Sequence, residues 1–415
     1  MLFDGALRAR APLRFLCDLA LQRFNNEFVY AESEAETAIV AELSLVIHNV
    51  LQGHRSGDEL FMRSLCVFAM YRPLHRQTGI ESLLTEIPCA EITGQMLRRT
   101  VVDVLEETRL RSSIRRIGRI TDAVSQRVRA QYEENPYPRW IAFDRDVKVS
   151  VSDWIRSELP GLSLPMADST TMNVVAGCGT GVEAVSLAAK VAGIRITAVD
   201  LSLSSIAYAK RKANELGLGN IQFVQADILE LGELQERFDA VLCVGVLHHL
   251  REPQAGLRAL VPLVHPGGLL KIGLYSERAR SAVNAARKII GERRMGGHGA
   301  LNPNNPARVA RCHPEFTLGR PASVARFFTM SGCRDLLFHV QEHQFTLAQI
   351  SELLHSARLT ILGLAQHLPQ QSVQAYRRLA PGDQRMVDLT KWEAVEALFP
   401  ATFEDMYVIW CRTQV

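Results

Sequence analysis

The chain has 415 residues, of which 47% are hydrophobic and 22% are charged, and its formal net charge at pH 7 is +3. This length suits two domains or one domain with large additions, the apolar fraction excludes wholesale disorder, and so small a charge does not indicate a polyanionic partner. The eight cysteines form no C-x-x-C pair and no segment approaches the about 18 apolar residues of a membrane span, so we expect a cytoplasmic protein with reduced thiols and no membrane contact.

Residues 1–130 contain few glycines and prolines and show helical periodicity almost throughout. Apolar residues at helical spacing predict helices at 13–24, 38–51, 60–71, 95–110 and 112–130. We therefore expect an all-helical accessory domain over 1–130. Such a domain could bind a protein partner or a second copy of the chain.

Nine arginines lie between Arg98 and Arg129, near the end of this region. One interpretation is a nucleic-acid-binding face. The other is a solvated helix surface on which the arginines pair with acids one turn away. The second interpretation is favoured, because no aromatic residue interleaves the arginines and bases would have nothing to stack on. We expect no specific nucleic-acid partner.

Residues 131–140 have the sequence QYEENPYPRW, and their two prolines cannot continue a helix. Three large aromatic side chains, Tyr132, Tyr137 and Trp140, stand in this short stretch. They could form a lid over a functional site, in which case they would bind the substrate, or they could pack between two domains. Both alternatives are open.

The most informative stretch is Gly177-Cys178-Gly179-Thr180-Gly181, which follows a mostly apolar run at 172–176. A helix-compatible segment, 182–191, and a second apolar run, 194–199, come next, and Asp200 closes that run. This is the first half of a doubly wound α/β sheet. Glycines allow a tight turn, the helix N-terminus presents free N–H groups, and Asp200 stands where a carboxylate binds ribose hydroxyls. The stretch predicts a nucleoside-binding site.

The glycine spacing narrows the kind of nucleoside. A dinucleotide site has G-x-G-x-x-G, whereas here Val182 takes the third glycine's place and the glycine comes one residue earlier. The G-x-G-x-G form resembles motif I of class I S-adenosylmethionine-dependent methyltransferases. Further segments resemble that family in the same order: Asp200-Leu201, Ala226-Asp227-Ile228, and residues 238–243, 246–250 and 265–270. One departure is Val175, where many members of the family have Asp or Glu.

The resemblance implies a Rossmann-like methyltransferase fold over residues 131–415. It implies a seven-stranded, mostly parallel sheet with an antiparallel last strand, for which 359–364 and 406–412 are the candidates for the terminal antiparallel pair. The implied cofactor is S-adenosyl-L-methionine, and no metal is expected. The residues implied to bind the cofactor are Gly177, Cys178, Gly179, Thr180, Gly181, Asp200, Leu201, Asp227, Ile228, Val244 and Gly245.

The segment at 131–140 also resembles one found before the catalytic core in a group of bacterial methyltransferases, some of which carry tetratricopeptide repeats. Residues 277–357, after the predicted fifth strand, are more than a minimal core needs, and an insertion there commonly roofs the substrate pocket in this family. We expect Tyr275 and His339 to bind the acceptor. Alternatively, His339 and His343 are packing or surface residues; a metal site would need a third ligand that the pattern does not supply.

Three histidines are candidates for catalysis. His248 and His249 follow the predicted fourth strand at its carboxyl end, where ligands bind in open α/β sheets, and His343 lies in the insertion. Methyl transfer mainly requires alignment of the nucleophile. A general base would add roughly 10²–10⁴-fold, and only for an acceptor that keeps its proton until attack. The alternative is that His248 and His249 shape the pocket and cap the next helix.

The expected activity is methyl transfer to an oxygen or nitrogen of a small-molecule or flexible peptide acceptor. The N/D-P-P-Y/F sequence of enzymes that methylate exocyclic or amide nitrogens is missing, as is a Pro-Cys motif for pyrimidine C5. Two alternatives remain. One is a helical protein-interaction module with a weakly active methyltransferase domain, and the other is a tRNA methyltransferase, which the near-neutral charge disfavours.

Overall fold

The structure is a computed structural model that describes residues 11–53, 59–86, 91–143, 148–162, 171–295, 328–364, 368–403 and 406–413. The chain divides into two compact units, Met1–Leu110 with Ala286–Phe338, and Arg111–Ala285 with His339–Val415. These units differ in their boundaries from the domains expected from the sequence, 1–130 and 131–415 with a roof at 277–357. The roles expected of those domains stay predictions. Residues 296–327 of that roof lie outside the described residues.

The first unit is helical over its described residues. Helix α2 begins with a capping box, in which Ser33 and Glu36 satisfy each other's backbone N–H groups. Leu16, Ile47 and Leu65, one from each of the first three helices, are among the buried residues of a single apolar cluster. The helices are α1 (Leu13–Asn25), α2 (Glu34–Gln52), α3 (Glu59–Ala69), α4 (Leu83–Glu86), α5 (Ile92–Leu97) with a π-turn at Arg98–Val102, and α6 (Asp103–Leu110); a further helix, Met330–Leu337, comes later in the chain.

The helix predicted at 112–130 is wrong as a single element. Arg115–Arg116 form a short strand, β1, and helix α7 (Ala123–Glu134) begins only after Gly118 has turned the chain at a φ of +64°. Asp122 caps α7 by accepting the N–H groups of Val124 at 2.8 Å and Ser125 at 3.0 Å. The periodicity of the arginine-rich stretch therefore overstated its helical content.

The second unit contains one sheet of eight strands in the order β1-β4-β3-β2-β5-β6-β8-β7. All pairs are parallel except those that β8 makes with β6 and β7. The predicted mostly parallel sheet with an antiparallel last strand is confirmed, and β1 adds an eighth strand by pairing with β4. The remaining strands are β2 (Thr171–Ala176), β3 (Ile194–Asp200), β4 (Ile221–Gln225), β5 (Phe238–Val244), β6 (Val264–Tyr275), β7 (Leu359–Leu364) and β8 (Met406–Thr413).

Helices follow the strands in alternation, as parallel pairing requires. Four consecutive residues of β5, at 240–243, are buried, which is typical of a strand covered on both faces. The helices are α8 (Val151–Glu158), α9 (Val182–Lys190), α10 (Leu203–Glu215), α11 (Pro253–Leu260), α12 (Ser281–Met295, of which 286–295 belong to the first unit), α13 (Met330–Leu337, of the first unit), α14 (Leu347–Ser356), α15 (Gln370–Leu379) and α16 (Leu389–Leu398). The carboxyl ends of β2, β3, β4 and β5 meet at one edge, which carries the predicted site. No helix in the described ranges is long and apolar enough to cross a membrane.

Candidate cofactor and acceptor site

The loop after β2 is held close to its neighbours at Gly177 and Gly179. A Cβ atom on Gly177, which has a φ of +82°, would lie 2.3 Å from a methyl carbon of Val246. A Cβ atom on Gly179, with a φ of +51°, would lie 3.0 Å from the carbonyl oxygen of Tyr137. These glycines therefore let other parts of the protein approach the loop, in addition to any ligand.

Cys178 and Thr180 are the non-glycine members of this loop, and both are buried. The backbone N–H groups of Gly177 and Cys178 each donate to the carbonyl oxygen of Val199 at 2.8 Å, which ties the loop to β3. Burial raises the pKa of the Cys178 thiol well above its ordinary value, so the thiol stays neutral and packs as a small apolar group.

Asp200, at the end of β3, is half-buried, and backbone amides hold both of its carboxylate oxygens. Oδ2 accepts the N–H of Gly179 and Oδ1 accepts the N–H of Ser202, each at 2.8 Å. Burial raises the pKa of Asp200 to about 6, with a smaller increase from Glu133, and the backbone N–H groups oppose that rise. Because a carboxylate oxygen can accept more than one hydrogen bond, Asp200 fits the role of ribose ligand while holding the loop.

The other predicted cofactor residues lie at the same edge. Asp227, directly after β4, is 4% exposed and caps the 3₁₀-helix Ile228–Leu234 by accepting the N–H of Leu229 at 3.1 Å. Gly245, directly after Val244 at the end of β5, donates its N–H to Gly273 at 3.2 Å. All eleven predicted residues thus lie at or just beyond the carboxyl ends of four adjacent strands; their binding of the cofactor stays a prediction.

The segment 131–140 contacts the glycine loop. The indole N–H of Trp140 donates to the Thr180 carbonyl at 2.9 Å, and the Thr180 hydroxyl donates to the Pro138 carbonyl. The hydroxyl of Tyr208, on α10, donates to the carbonyl of Trp140. Tyr137 and Trp140, which we expected to bind the acceptor, therefore stand beside the predicted cofactor residues.

Glu133 is a residue that the sequence analysis did not select. Its carboxylate accepts the N–H groups of Leu203 at 2.7 Å and Ser204 at 3.2 Å, at the N-terminus of α10. Ser202 caps the same helix. A negative charge at a helix N-terminus is stabilising. The only sequence signal was an acid within an aromatic-rich stretch, which is too common to indicate a contact seventy residues away.

His248 lies in the 3₁₀-helix Leu247–His249, which follows β5, and is fully buried. Its ring stacks on Tyr275 with a centroid distance of 3.8 Å, and within the described part of the chain neither ring nitrogen has a hydrogen-bond partner. Burial is the main reason that the pKa of His248 lies well below its ordinary value, with smaller contributions from neighbouring histidines and Arg280. This histidine is neutral at physiological pH.

The peptide groups around Gln341 fix the tautomers of two histidines. The Gln341 carbonyl accepts the Nδ1–H of His249 at 2.7 Å, and the Gln341 N–H donates to Nδ1 of His339 at 3.1 Å. Neutral His339 consequently carries its proton on Nε2, which lies 3.1 Å from the Tyr132 hydroxyl. The two imidazole rings stack with their centroids 3.6 Å apart. The structure thus brings together three of the predicted residues, Tyr132, His249 and His339.

His343 lies apart from that stack. Its Nε2 faces the carbonyl oxygens of Leu250 at 3.1 Å and Arg251 at 3.2 Å, and its backbone N–H donates to the His248 carbonyl at 2.8 Å. The side-chain amide nitrogen of Gln341 lies 3.0 Å from the same Nε2. This geometry holds the segment around His343 in place and does not favour the predicted catalytic role.

Arg280 and Glu342 form a buried ion pair that the sequence analysis missed. Each side chain is 2% exposed, and two parallel contacts of 2.6 Å and 3.2 Å join the guanidinium to the carboxylate. The Arg280 guanidinium also lies 3.9 Å from the centre of the Tyr275 ring. The pair thereby supports the ring on which His248 stacks. Isolated Arg and Glu letters in a polar stretch predict solvent exposure, so no pattern indicated this contact.

Comparison with known proteins agrees with this geometry. Residues 174–268 match the family model described as a methyltransferase domain. A Synechococcus protein described as uncharacterized is 34% identical over 186 residues, which are 42% of this chain and 43% of that protein. The ubiquinone biosynthesis O-methyltransferase of Paracidovorax citrulli is 30% identical over 138 residues, 32% of this chain and 57% of the enzyme. The chain thus spans about half the length of the relatives it matches.

Among solved structures, PKMT2 from Rickettsia typhi in complex with AdoHcy is 17% identical, with a TM-score of 0.49, and the match covers 67% of this chain and 55% of that one. The N-methyltransferase NodS from Bradyrhizobium japonicum is 14% identical with a TM-score of 0.35, and the match covers 71% of this chain and all of NodS.

This chain's sheet carries G-x-G-x-G after β2, Asp200 at the end of β3 and Asp227 after β4, and in this it resembles the cofactor-binding half of a class I S-adenosylmethionine-dependent methyltransferase. The match over 174–268 identifies this part of the chain as a methyltransferase domain. The protein is thus an enzyme with a methyltransferase domain, and the cofactor of this domain is S-adenosyl-L-methionine.

Proposed function

We propose that the protein transfers a methyl group from S-adenosylmethionine to an oxygen or nitrogen atom of a small-molecule or flexible peptide acceptor. The observation that carries the proposal is the position of β5. Its carboxyl end leads from the cofactor residues Val244 and Gly245 directly to His248 and His249. In this proposal the cofactor residues and the polar aromatic groups are therefore neighbours at one edge of the sheet.

The residues of the cofactor side have distinct roles in this proposal. When bound, S-adenosylmethionine supplies a methyl group on a positively charged sulfur. Asp200 accepts hydrogen bonds from the ribose hydroxyls, and Asp227 and Ile228 bind the adenine ring. Gly179 keeps Asp200 in place through its N–H. This positioning, rather than proton transfer, accounts for most of the catalysis.

On the acceptor side, Tyr132 and His339 would contact the substrate. Tyr275, which we expected to do the same, is buried and packs against His248 and Arg280, so we assign it a supporting role. An acceptor that keeps its proton until attack needs a base. We favour His249 over His248 for that role, because the bond to the Gln341 carbonyl fixes Nδ1 as the donor and leaves the ring's lone pair on Nε2. His248 is fully enclosed by its neighbours.

Two measurements test the proposal. Titration calorimetry should detect binding of S-adenosylmethionine and S-adenosylhomocysteine, with NAD as the negative control. Incubation of the protein and isotopically methyl-labelled cofactor with metabolite and peptide pools should then transfer label to an acceptor. No binding of either nucleoside at millimolar concentration would overturn the proposal.

For the helical unit we propose contact with a protein partner or a second copy, in a cytoplasmic location. Such a contact would cover apolar side chains that are exposed in this unit, among them Phe15, Leu45 and Leu60, whose exposure ranges from 51% to 66%. The absence of aromatic residues among the arginines speaks against specific nucleic-acid binding. Sedimentation across a concentration series measures self-association.

A further inference from the structure

We propose that Trp140 and Thr180 are positioning residues for the cofactor: together they fasten the segment 131–140, here called the latch, to the glycine loop and slow the release of the bound nucleoside. This inference rests on the proposed function. It goes beyond it because neither residue needs to touch the acceptor or the reacting atoms.

The first contact is reciprocal. Thr180 accepts a hydrogen bond from the Trp140 indole at its carbonyl, at 2.9 Å, and donates one from its hydroxyl to the Pro138 carbonyl. Its side chain is fully buried. Thr180 therefore joins the latch through both its backbone and its side chain. An alanine at this position would leave the Pro138 carbonyl without that donor.

The second contact fixes Trp140 on α10. The Tyr208 hydroxyl donates to the Trp140 carbonyl, and Lys212 donates to the carbonyl of Ile141 at 3.1 Å. The Tyr208 ring meets the indole edge-on with a centroid distance of 6.2 Å, and the Lys212 ammonium lies 5.3 Å from the indole ring. These contacts orient the indole N–H towards the loop, so Trp140 is more than a surface aromatic.

The third contact is at the other end of the latch, where Glu133 holds the N-terminus of α10 through Leu203 and Ser204. That helix begins just after Asp200. The latch thus spans both loops that carry the cofactor residues, the one after β2 and the one after β3. It joins them independently of the sheet.

The position of Tyr137 explains how the latch would act on affinity. Its carbonyl oxygen lies over Gly179, the residue whose N–H holds Asp200. A latch that moves away frees Gly179 to shift, and the ribose-binding carboxylate loses one of its two fixed partners. The expected result is a weaker complex that dissociates faster.

The test uses the full chain and S-adenosylhomocysteine as the probe. The variants are Trp140→Phe, which keeps the aromatic ring and removes the N–H, Thr180→Val, which keeps the shape and removes the hydroxyl, and Thr180→Ser, which restores the hydroxyl. The control is Trp154→Phe, because Trp154 is a buried tryptophan that packs edge-on against Trp410 rather than against the loop. Calorimetry gives affinity and stopped-flow displacement gives the dissociation rate.

Loss of one hydrogen bond should cost about 0.5–1.5 kcal/mol, so Trp140→Phe and Thr180→Val should each weaken binding by roughly 2- to 10-fold, mainly through faster dissociation. Thr180→Ser should recover most of the loss. Trp154→Phe should bind as the wild type does, even if it unfolds at a lower temperature. The double variant Trp140→Phe/Thr180→Val should lose less than the product of the single effects, because both changes release the same contact.

The outcomes separate the two proposals. A wild-type protein that does not bind the probe overturns the proposed function. A wild-type protein that binds, with Trp140→Phe equal to it in affinity and dissociation rate, overturns the latch, and so does an equal loss in Trp154→Phe. If Thr180→Val does not fold, the comparison of Trp140→Phe with the wild type and with Trp154→Phe decides the question.

Discussion

Gly179 donates its backbone N–H to Asp200 over 2.8 Å, and this bond joins the loop after β2 to the end of β3. The same carboxylate accepts the N–H of Ser202 at the start of α10. One side chain thus links a turn, a strand end and a helix start. The residue expected to bind ribose is also part of the fold of its own site.

The first prediction concerns Asp200→Ala. Because hydrogen bonds to a charged group contribute about 1.5–3 kcal/mol, binding of S-adenosylmethionine should weaken by about one to two orders of magnitude. The two amide contacts predict a loss of about 1–3 kcal/mol in the free energy of unfolding of the unliganded protein. Calorimetry and urea denaturation measure the two effects, and Asp200→Asn should fall between alanine and wild type in affinity. Unchanged affinity in Asp200→Ala would remove the ribose assignment.

The second prediction is a pH dependence of binding. Burial raises the pKa of Asp200 to about 6, with Glu133 adding to the rise and the amides of Gly179 and Ser202 opposing it. The carboxylate is protonated below that pH and then accepts the ribose hydrogen bonds poorly. Affinity for S-adenosylhomocysteine should therefore fall as the pH is lowered from 7 to 5. Asp200→Asn should show a much flatter profile over the same range.

The same raised pKa makes the stability of the folded protein change with pH in the direction opposite to ligand affinity. Its ordinary value is 3.8, so the folded protein holds the Asp200 proton more tightly than the unfolded chain does. The contribution of this group to the free energy of unfolding is largest below pH 4 and is lost as the pH rises through 6. In Asp200→Asn this contribution disappears, which denaturation at several pH values can resolve.

The third prediction concerns His343→Ala. The side chain contacts the carbonyls of Leu250 and Arg251 and none of the predicted cofactor residues. Affinity for S-adenosylhomocysteine should stay within about twofold of wild type, while the free energy of unfolding falls by about 1 kcal/mol for the lost hydrogen bond. Turnover of the acceptor, once known, should fall because the neighbouring segment carries His339. Equal losses in cofactor affinity and turnover would place this segment on the cofactor side.

The fourth prediction concerns the buried pair of Arg280 and Glu342. Glu342→Gln and Arg280→Met each remove one charge and leave the other uncompensated in the interior. Each should lower the free energy of unfolding by about 3–5 kcal/mol. Arg280→Met/Glu342→Leu, which removes both charges, should be more stable than Arg280→Met alone. Arg280→Lys keeps the charge but should still be less stable than the wild type, since an ammonium cannot make the two parallel contacts. Chemical denaturation distinguishes these results, and additive losses in the double variant would argue against coupling.

The parts of this site that the sequence predicted are those whose residues lie close together along the chain. The glycine loop, Asp200 and the apolar strands are local patterns with fixed spacing, and the resemblance based on them predicted the sheet and its antiparallel strand. The contact of Trp140 with Thr180 joins positions forty residues apart and depends on a backbone carbonyl, which has no residue-type signature. The same is true of Gln341, whose peptide group rather than its side chain contacts His249 and His339. Strand β1 was missed because two residues are too few for any alternation to be seen.

The strand order has a consequence for how the chain folds during synthesis. Among the residues that the structure describes, strand β7 pairs with β8 alone, yet β8 is made later, after α15 and α16. Until β8 leaves the ribosome, β6 and β7 both expose unpaired backbone groups, which invite association with other chains. Insertion of β8 between β6 and β7 is therefore the step that completes the sheet. A nascent chain that stalls before residue 406 should bind holding chaperones, and release should follow once 406–413 have emerged.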